Sequence, residues 1–274
     1  VAGVLDDAVV ATDDQRIYDA VKAFGGKVEM TSTDHRSGTD RCWEAYCKQG
    51  NQYDVVINVQ GDEPFIAESQ LRSIMACFED EATDIATLVK PFAAEDGLAA
   101  LQNPNSPKVV LDNESRAIYF SRSVIPYLRG VEPEEWLSKH TFYKHIGMYA
   151  FRREVLREVT ALPQSTLEKA ESLEQLRWLE NGYKIGVGIS DVETVGIDTP
   201  EDLERAEEFL KIQNSTVLKK FYSVAEKKGG GGSQKFEKVL KIINLLYSTL
   251  LKFFSEIFFY RSKIFNFTSI YKTL

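Results

Sequence analysis

Apolar residues along this chain fall into short β-branched runs separated by stretches of helical spacing. Ala8–Thr12 reads as a buried strand. Asp14–Phe24 reads as a helix, with Ile17, Val21 and Phe24 on one face and Gly25-Gly26 as its stop. Lys27–Met30 is a short strand, Ser37–Gln49 a helix, Val55–Gln60 a strand, Glu68–Phe78 a helix and Ile85–Val89 a strand. This alternation predicts an α/β fold with a mostly parallel sheet flanked by helices.

The middle of the chain has a different rhythm. Lys108–Asp112 and Ala117–Phe120 read as a hairpin around Asn113-Glu114, and Tyr143–Phe151 as another strand. Arg153–Val159 and Leu167–Asn181 read as helices, and Tyr183–Ile189 returns to the sheet. A last helix of the body starts at Asp198-Thr199-Pro200, with Thr199 as N-cap, Pro200 at the first helical position and Asp202 in the first turn. Gly229-Gly230-Gly231-Gly232-Ser233 is a flexible linker, so the body spans 1–228, the linker 229–233 and a tail 234–274. In the tail, Val239, Leu240, Ile243, Leu246, Tyr247, Leu250 and Leu251 make a wide apolar helical stripe. Lys241, Lys252 and Glu256 interrupt it, so no clean membrane span exists. An interfacial or partner-binding helix with weak membrane or partner contact, an appended segment, and a membrane anchor are the alternatives for it.

Charge divides along the same line. The 274 residues carry a net charge of −8, with 43% hydrophobic and 27% charged residues, as in ordinary soluble proteins. From Gln234 onward seven Lys/Arg face only Glu237 and Glu256, so the tail carries +5 and the rest −13. An acidic body argues against nonspecific nucleic-acid binding, and no nucleic-acid partner is expected. Cys42, Cys47 and Cys77 have no framework spacing, which fits a reducing, cytoplasmic setting. His35, His140 and His145 form no zinc pattern, and Asp6 and Asp7 interrupt the first apolar stretch, so no leader peptide is read there.

The chemistry concentrates where strands end. Val55-Val56-Ile57-Asn58-Val59-Gln60-Gly61-Asp62-Glu63-Pro64 is an apolar run that delivers a carboxylate to the carboxyl edge of a sheet, where open α/β folds bind ligands. Asp198 arrives similarly in Gly196-Ile197-Asp198-Thr199-Pro200. Two such carboxylates suit one Mg²⁺ ion and a nucleotide's phosphates, although an aspartate placed like Asp62 is, by itself, more often a turn or helix-cap carboxylate. Ser37-Gly38-Thr39 is either a plain helix start or a set of N–H groups and hydroxyls for ligand oxygens. Arg41 reads equally as a ligand contact or a surface helix charge. His145 alone suits a core position. Glu174 and Gln175 fall mid-helix, where they face either solvent or a cavity while Leu173, Leu176 and Leu179 are buried.

Seven stretches, in order, carry a resemblance: Val10-Ala11-Thr12-Asp13; Asp34-His35-Arg36-Ser37-Gly38-Thr39-Asp40-Arg41; Asn58 to Pro64; Tyr119-Phe120-Ser121-Arg122; His145-Ile146-Gly147-Met148-Tyr149; Leu173-Glu174-Gln175-Leu176-Arg177; and Gly196 to Leu203. Over residues 8–211 the chain is similar to the 3-deoxy-manno-octulosonate cytidylyltransferase family. The resemblance implies a Rossmann-like nucleotidyltransferase with a small antiparallel dimerisation and sugar-binding region. It implies transfer of a cytidylyl group from CTP to the sugar acid 3-deoxy-D-manno-octulosonate (Kdo), giving CMP-Kdo and pyrophosphate for lipopolysaccharide synthesis. By the same resemblance Asp62 and Asp198 hold Mg²⁺ and are catalytic, while Ser37, Gly38, Thr39, Arg41, Gln60 and Gly61 lie at the nucleotide. Arg122, His145, Tyr149, Glu174 and Gln175 form the sugar-acid pocket, and Arg177 supports structure. The family pattern also implies a homodimer through residues near 104–150.

The family pattern opens with a strand and a Gly-, Arg- and Lys-bearing loop for the triphosphate, which have no counterpart in this sequence. Little turnover is therefore expected of this chain, and the neighbouring strands are expected to lack ladder partners, since nothing in the tail's pattern resembles that strand. Alternatives are a synthetase for another sugar acid, of the sialic acid type, and a noncatalytic interaction protein. A glycosyltransferase is disfavoured because Glu63-Pro64 follow Asp62 in place of an Asp-x-Asp signature.

Overall fold

Alternate residues of one apolar run feed two different cores. Val56 packs with Tyr46, Tyr149, Phe151 and Trp178, whereas Val55, Ile57 and Val59 pack with Leu71, Ile74, Phe78 and Met148. Only a strand inside a sheet covered on both faces can do this. The computed structural model describes residues 4–50, 53–61 and 66–192, and the backbone of Ser269–Lys272. These residues belong to one unit. Its strands are β1 (Asp7–Thr12), β2 (Val28–Met30), β3 (Val55–Asn58), β4 (Ile85–Pro91), β5 (Lys108–Leu111), β6 (Ala117–Ser121), β7 (Tyr143–Arg152), β8 (Ile185–Ile189) and β9 (Ser269–Lys272). Its helices are α1 (Gln15–Ala23), α2 (Gly38–Lys48), α3 (Glu68–Ala76), α4 (Gly97–Gln102), α5 (Trp136–Lys139), α6 (Arg153–Thr160), α7 (Thr166–Glu171) and α8 (Gln175–Glu180).

The sheet runs β2-β1-β9-β3-β7-β4-β8, and the β5–β6 hairpin joins it through β7. Strands β2, β1, β3, β4 and β8 share one direction, as the alternating pattern predicts. Two reversed strands, β7 and β9, stand among them, so most ladders in the described sheet are antiparallel rather than parallel. Reversal of β7 brings Tyr149 directly opposite Asn58, at the end of β3 that leads into Gln60-Gly61. The β4–β7 register shifts between Thr87 and Leu88, where β7 carries the extra residues Gly147 and Met148.

The expected helix over the tail falls outside the described residues, but the tail does contain a strand. β9 pairs antiparallel with β1 on one side and β3 on the other, so those two strands have ladder partners, contrary to expectation. Among the described residues no helix is long and apolar enough to cross a membrane.

Local signals set most helix ends. Asp14 caps α1 by accepting from the Arg16 N–H at 2.8 Å, and Gly25, at φ +81°, closes it. The single helix expected over Leu167–Asn181 is in fact two. Ser165 and Glu168 form a capping box that starts α7, Ser172 turns left-handed at φ +52°, and α8 begins after Glu174. Glu174 and Gln175 therefore stand at a helix start, not mid-helix.

Replacing Ile270 by proline removes a ladder N–H between β1 and β3. Ile270→Pro is expected to lower the unfolding free energy by about 1–3 kcal/mol, read from the denaturant midpoint.

Candidate active site

The first turn of α2 is held from below. Ser37 caps the helix by accepting from the Asp40 N–H at 3.3 Å. The loop before it is fixed by Glu44, which accepts from the Ser32 N–H at 2.9 Å, pairs with Lys48 at 2.7 Å and binds the His35 ring. Burial pulls the Glu44 carboxyl upward, but the bonds from Lys48, Ser32 and His35 prevail and hold it at about 2. Arg41 is not a surface charge: it is 2% exposed. Its guanidinium donates to Asp13 Oδ2 at 2.8 Å, Thr31 Oγ1 at 2.6 Å and the Ser32 carbonyl at 3.3 Å, tying α2 to the ends of β1 and β2.

Across from this turn stands the start of α8. The Thr39 hydroxyl donates to Glu174 Oε2 at 2.8 Å, and Arg177 Nη2 donates to Glu174 Oε1 at 2.5 Å. Arg177 also lies 3.5 Å from Glu168 Oε2 and donates to the Leu162 carbonyl at 3.1 Å. Burial pushes the Glu174 carboxyl above its usual range, against the hydroxyls of Thr39 and Ser37 and the charge of Arg177, with Asp40 adding to the upward push. Gln175 is 4% exposed, and its Nε2 has no hydrogen-bond partner among the described residues. Between the α2 start and the segment from Thr160 to Arg177 lies an open cleft of about 810 Å³, lined by Arg36, Ser37, Asp40, Lys169, Glu174 and Arg177 among others. That volume suits a small ligand.

β7 supplies the aromatic wall. The His145 ring stacks edge-on to Phe120 at 5.2 Å and tilted to Tyr149 at 5.3 Å, and Tyr149 meets the Trp178 ring of α8 edge-on at 4.9 Å. His145 Nε2 lies 3.0 Å from Thr87 Oγ1, whose hydroxyl reaches the Met148 carbonyl at 2.9 Å and the Ile146 carbonyl at 3.3 Å. A hydroxyl has one proton, and carbonyls can only accept. Thr87 therefore spends its proton on the bulge, and His145 donates from Nε2, leaving Nδ1 as the acceptor. Burial pushes the His145 imidazole down to about 3, so it is neutral near pH 7.

Arg122, just past β6, reaches the turn between α7 and α8. It donates from Nε to the Glu171 carbonyl at 2.6 Å, from Nη2 to the Ser172 carbonyl at 3.2 Å and from Nη1 to the Pro104 carbonyl at 2.8 Å. Ser121 Oγ and the Arg122 N–H hold the Glu171 carboxylate at 2.6 and 2.9 Å. The fully buried Lys108 donates to the Asn103 and Arg122 carbonyls at 3.0 and 2.6 Å, and burial lowers its pKa. The helix breaks at Ser172 while Arg122 occupies carbonyls that a continuing helix would have used.

The structure thus brings Ser37, Thr39, Glu174 and Gln175 together, with Arg122 linked to them through Glu171–Ser172 and His145 and Tyr149 through Trp178. Gln60 and Gly61 follow the end of β3, and Gly38 opens α2. Asp62 and Asp198 lie outside the described residues. Among the described residues no group of three or more His, Cys, Asp and Glu could hold a metal ion. Sequence reading passes over Thr87, Glu168 and Glu171, and gives Arg177 no more than a structural part. The one local signal is the i,i+3 spacing of Glu174 and Arg177 at a helix start.

Comparison with known proteins bears on this site. The family profile described as Cytidylyltransferase matches residues 1–185. The chain is 70% identical over 211 residues to the 3-deoxy-manno-octulosonate cytidylyltransferase of Bacteroides thetaiotaomicron, covering 77% of this chain and 84% of that protein. It is 57% identical over 213 residues to the protein of that name from Porphyromonas gingivalis, covering 78% and 84%. Its fold matches a solved CMP:2-keto-3-deoxy-manno-octonic acid synthetase complexed with CTP, with a TM-score of 0.69 and 41% identity, over 78% of this chain and 83% of that one.

His145 makes stability depend on pH. Its folded pKa is depressed, so between pH 6.5 and about 3 the unfolded chain takes up the proton that the folded ring refuses. The contribution is complete above pH 6.5 and is lost as pH falls through that window. His145→Gln is expected to unfold with a shallower acid dependence between pH 6.5 and 4, measured by denaturant titration. Arg122→Ala is expected to cost about 1.5–3 kcal/mol at pH 7.

Proposed function

The chain belongs to the cytidylyltransferase family, and on that premise we propose that it transfers the cytidylyl group of CTP to Kdo, releasing pyrophosphate. The observation that carries the reading is the direct bond between Thr39 and Glu174, which joins the segment assigned to the nucleotide to the one assigned to the sugar acid. The anomeric hydroxyl oxygen of the sugar forms a bond to the α-phosphorus as the bond from that phosphorus to the bridging oxygen of pyrophosphate breaks. The hydroxyl proton goes to solvent.

The side chains present have parts to play in that step. The N–H groups and hydroxyls at the start of α2 suit nucleotide oxygens, and Gly38 allows close approach. Arg122 has five N–H groups, of which three are engaged by the Pro104, Glu171 and Ser172 carbonyls, so donors and a full positive charge remain for the sugar's carboxylate. Neutral His145 and the buried amide of Gln175 suit uncharged sugar hydroxyls. Asp62 and Asp198 are hard oxygen donors of the kind Mg²⁺ prefers, and the ion would neutralise charge growing on the phosphates.

Several finer assignments accompany this reading. CMP-Kdo is an activated sugar acid for lipopolysaccharide assembly. The segment near 104–150 carries the exposed apolar side chains Ile118 and Tyr127, which suit a homodimer contact. Cys42, Cys47 and Cys77 form no disulfide with one another, which suits the cytoplasm.

Pyrophosphate release tests the proposal. Release is expected with CTP, Mg²⁺ and Kdo together, and not when N-acetylneuraminate replaces Kdo. Asp62→Asn and Asp198→Asn are each expected to lower the rate about 100-fold or more. Equal release with N-acetylneuraminate would shift the reading to a sialic acid enzyme, and absence of CTP binding by calorimetry would leave a noncatalytic protein.

A further inference from the structure

We propose that Arg177 is a positioning residue whose guanidinium, shared between Glu174 and Glu168, sets how well the sugar-acid side of the site binds its ligand. The inference rests on the reading above that Glu174 faces the sugar acid.

The geometry is specific. Arg177 is 7% exposed and so is Glu168, which leaves little solvent to screen their charges. One guanidinium serves two carboxylates: Nη2 lies 2.5 Å from Glu174 Oε1, and Nε lies 3.5 Å from Glu168 Oε2. The bond to the Leu162 carbonyl at 3.1 Å fixes its plane. Glu174 is thereby held with its second oxygen turned to the Thr39 hydroxyl at 2.8 Å. Arg177 touches carboxylates and a carbonyl of the protein, so its influence on the ligand passes through Glu174.

The charges around Glu174 give the inference a sign. From α2 come Asp40 and the hydroxyls of Ser37 and Thr39, and from the loop before it Asp34, His35 and Arg36 line the same cleft. From α7 come Glu168 and Lys169, and from α8 Arg177 itself. Burial already favours the neutral form of Glu174, and the Arg177 charge and the Thr39 hydroxyl oppose it. An ionised Glu174 is a strong acceptor for sugar hydroxyls, whereas a protonated one is a poor acceptor. Glu168 competes for the same guanidinium. Taking away Arg177 must therefore make Glu174 harder to ionise, and taking away the Glu168 charge must make it easier. The two substitutions act in opposite directions, which a loss of folding would not do.

The experiment is the pH dependence of the Kdo dissociation constant, measured by calorimetry on the full chain without nucleotide. In the parent protein binding weakens as pH falls and Glu174 takes up its proton. In Arg177→Met that weakening is expected to start about one pH unit or more higher, a tenfold change in the proton affinity of Glu174. Arg177→Lys is expected to restore most of the parent profile. Glu168→Gln is expected to move the weakening to lower pH, and its amide can still complete the α7 cap. The shift in Arg177→Met must vanish in the double variant with Glu174→Gln, which has no carboxyl to titrate. Unmoved profiles in both Arg177→Met and Glu168→Gln, or a shift that persists without Glu174, would overturn the inference. Should Arg177→Met fail to fold, the direction of the Glu168→Gln shift decides alone. If Glu174→Gln by itself leaves Kdo affinity unchanged, the assignment of Glu174 to the sugar acid fails and this inference with it; if it weakens affinity while the profiles stay put, only the role of Arg177 falls.

Discussion

One half-buried carboxylate links the start of α2 to the start of α8. Glu174 sits half-buried at the start of α8, on the wall of the cleft, and partners reach it from two directions: the Thr39 hydroxyl from α2 and the Arg177 guanidinium from its own helix. Partial burial disfavours the charged form, and these partners offset that cost. The bond to Thr39 spans 135 positions of sequence and ties the start of α2 to the start of α8 beside the open cleft that Glu174 lines.

The sheet makes that meeting possible. Because β7 runs against β3 and β4, it carries Tyr149 back to the end of β3 and His145 beyond it. The bulge at Gly147 and Met148 exposes carbonyls that Thr87 takes up, and Thr87 in turn fixes which imidazole nitrogen of His145 carries the proton. His145 is thus a neutral imidazole of fixed tautomer, linked to α8 through the rings of Tyr149 and Trp178.

Much of this is legible in the chain. The apolar runs and caps place β1, β3, β4, β7 and α1, α2, α3 and α6 within a few residues of where they lie, because each carries its own period and its own stop signal. The break between α7 and α8 is not legible. Residues 167–181 keep a helical pattern throughout, and the break coincides with Arg122, some 49 positions away, occupying the carbonyls of Glu171 and Ser172. β9 is hidden for a related reason: four residues after an apolar helical stripe gain strand identity only from β1 and β3 on either side. In the site, residue types announce Ser37, Thr39, Glu174 and Gln175, but their mutual contacts, and the commitment of Arg41 to Asp13 and Thr31, depend on long-range packing that no local spacing records. Asp62 and Asp198 stand on sequence and family alone.

The most direct test asks whether the two halves of the site share energy through Thr39 and Glu174. It is the dissociation constant of a CTP analogue, with a methylene in place of the α–β bridging oxygen, measured with and without saturating Kdo in the parent chain and in Thr39→Val. Kdo is expected to tighten nucleotide binding in the parent, with most of this linkage lost in Thr39→Val and a reciprocal loss when the sugar is titrated. Equal linkage in both proteins would mean that the Thr39–Glu174 bond carries none of it.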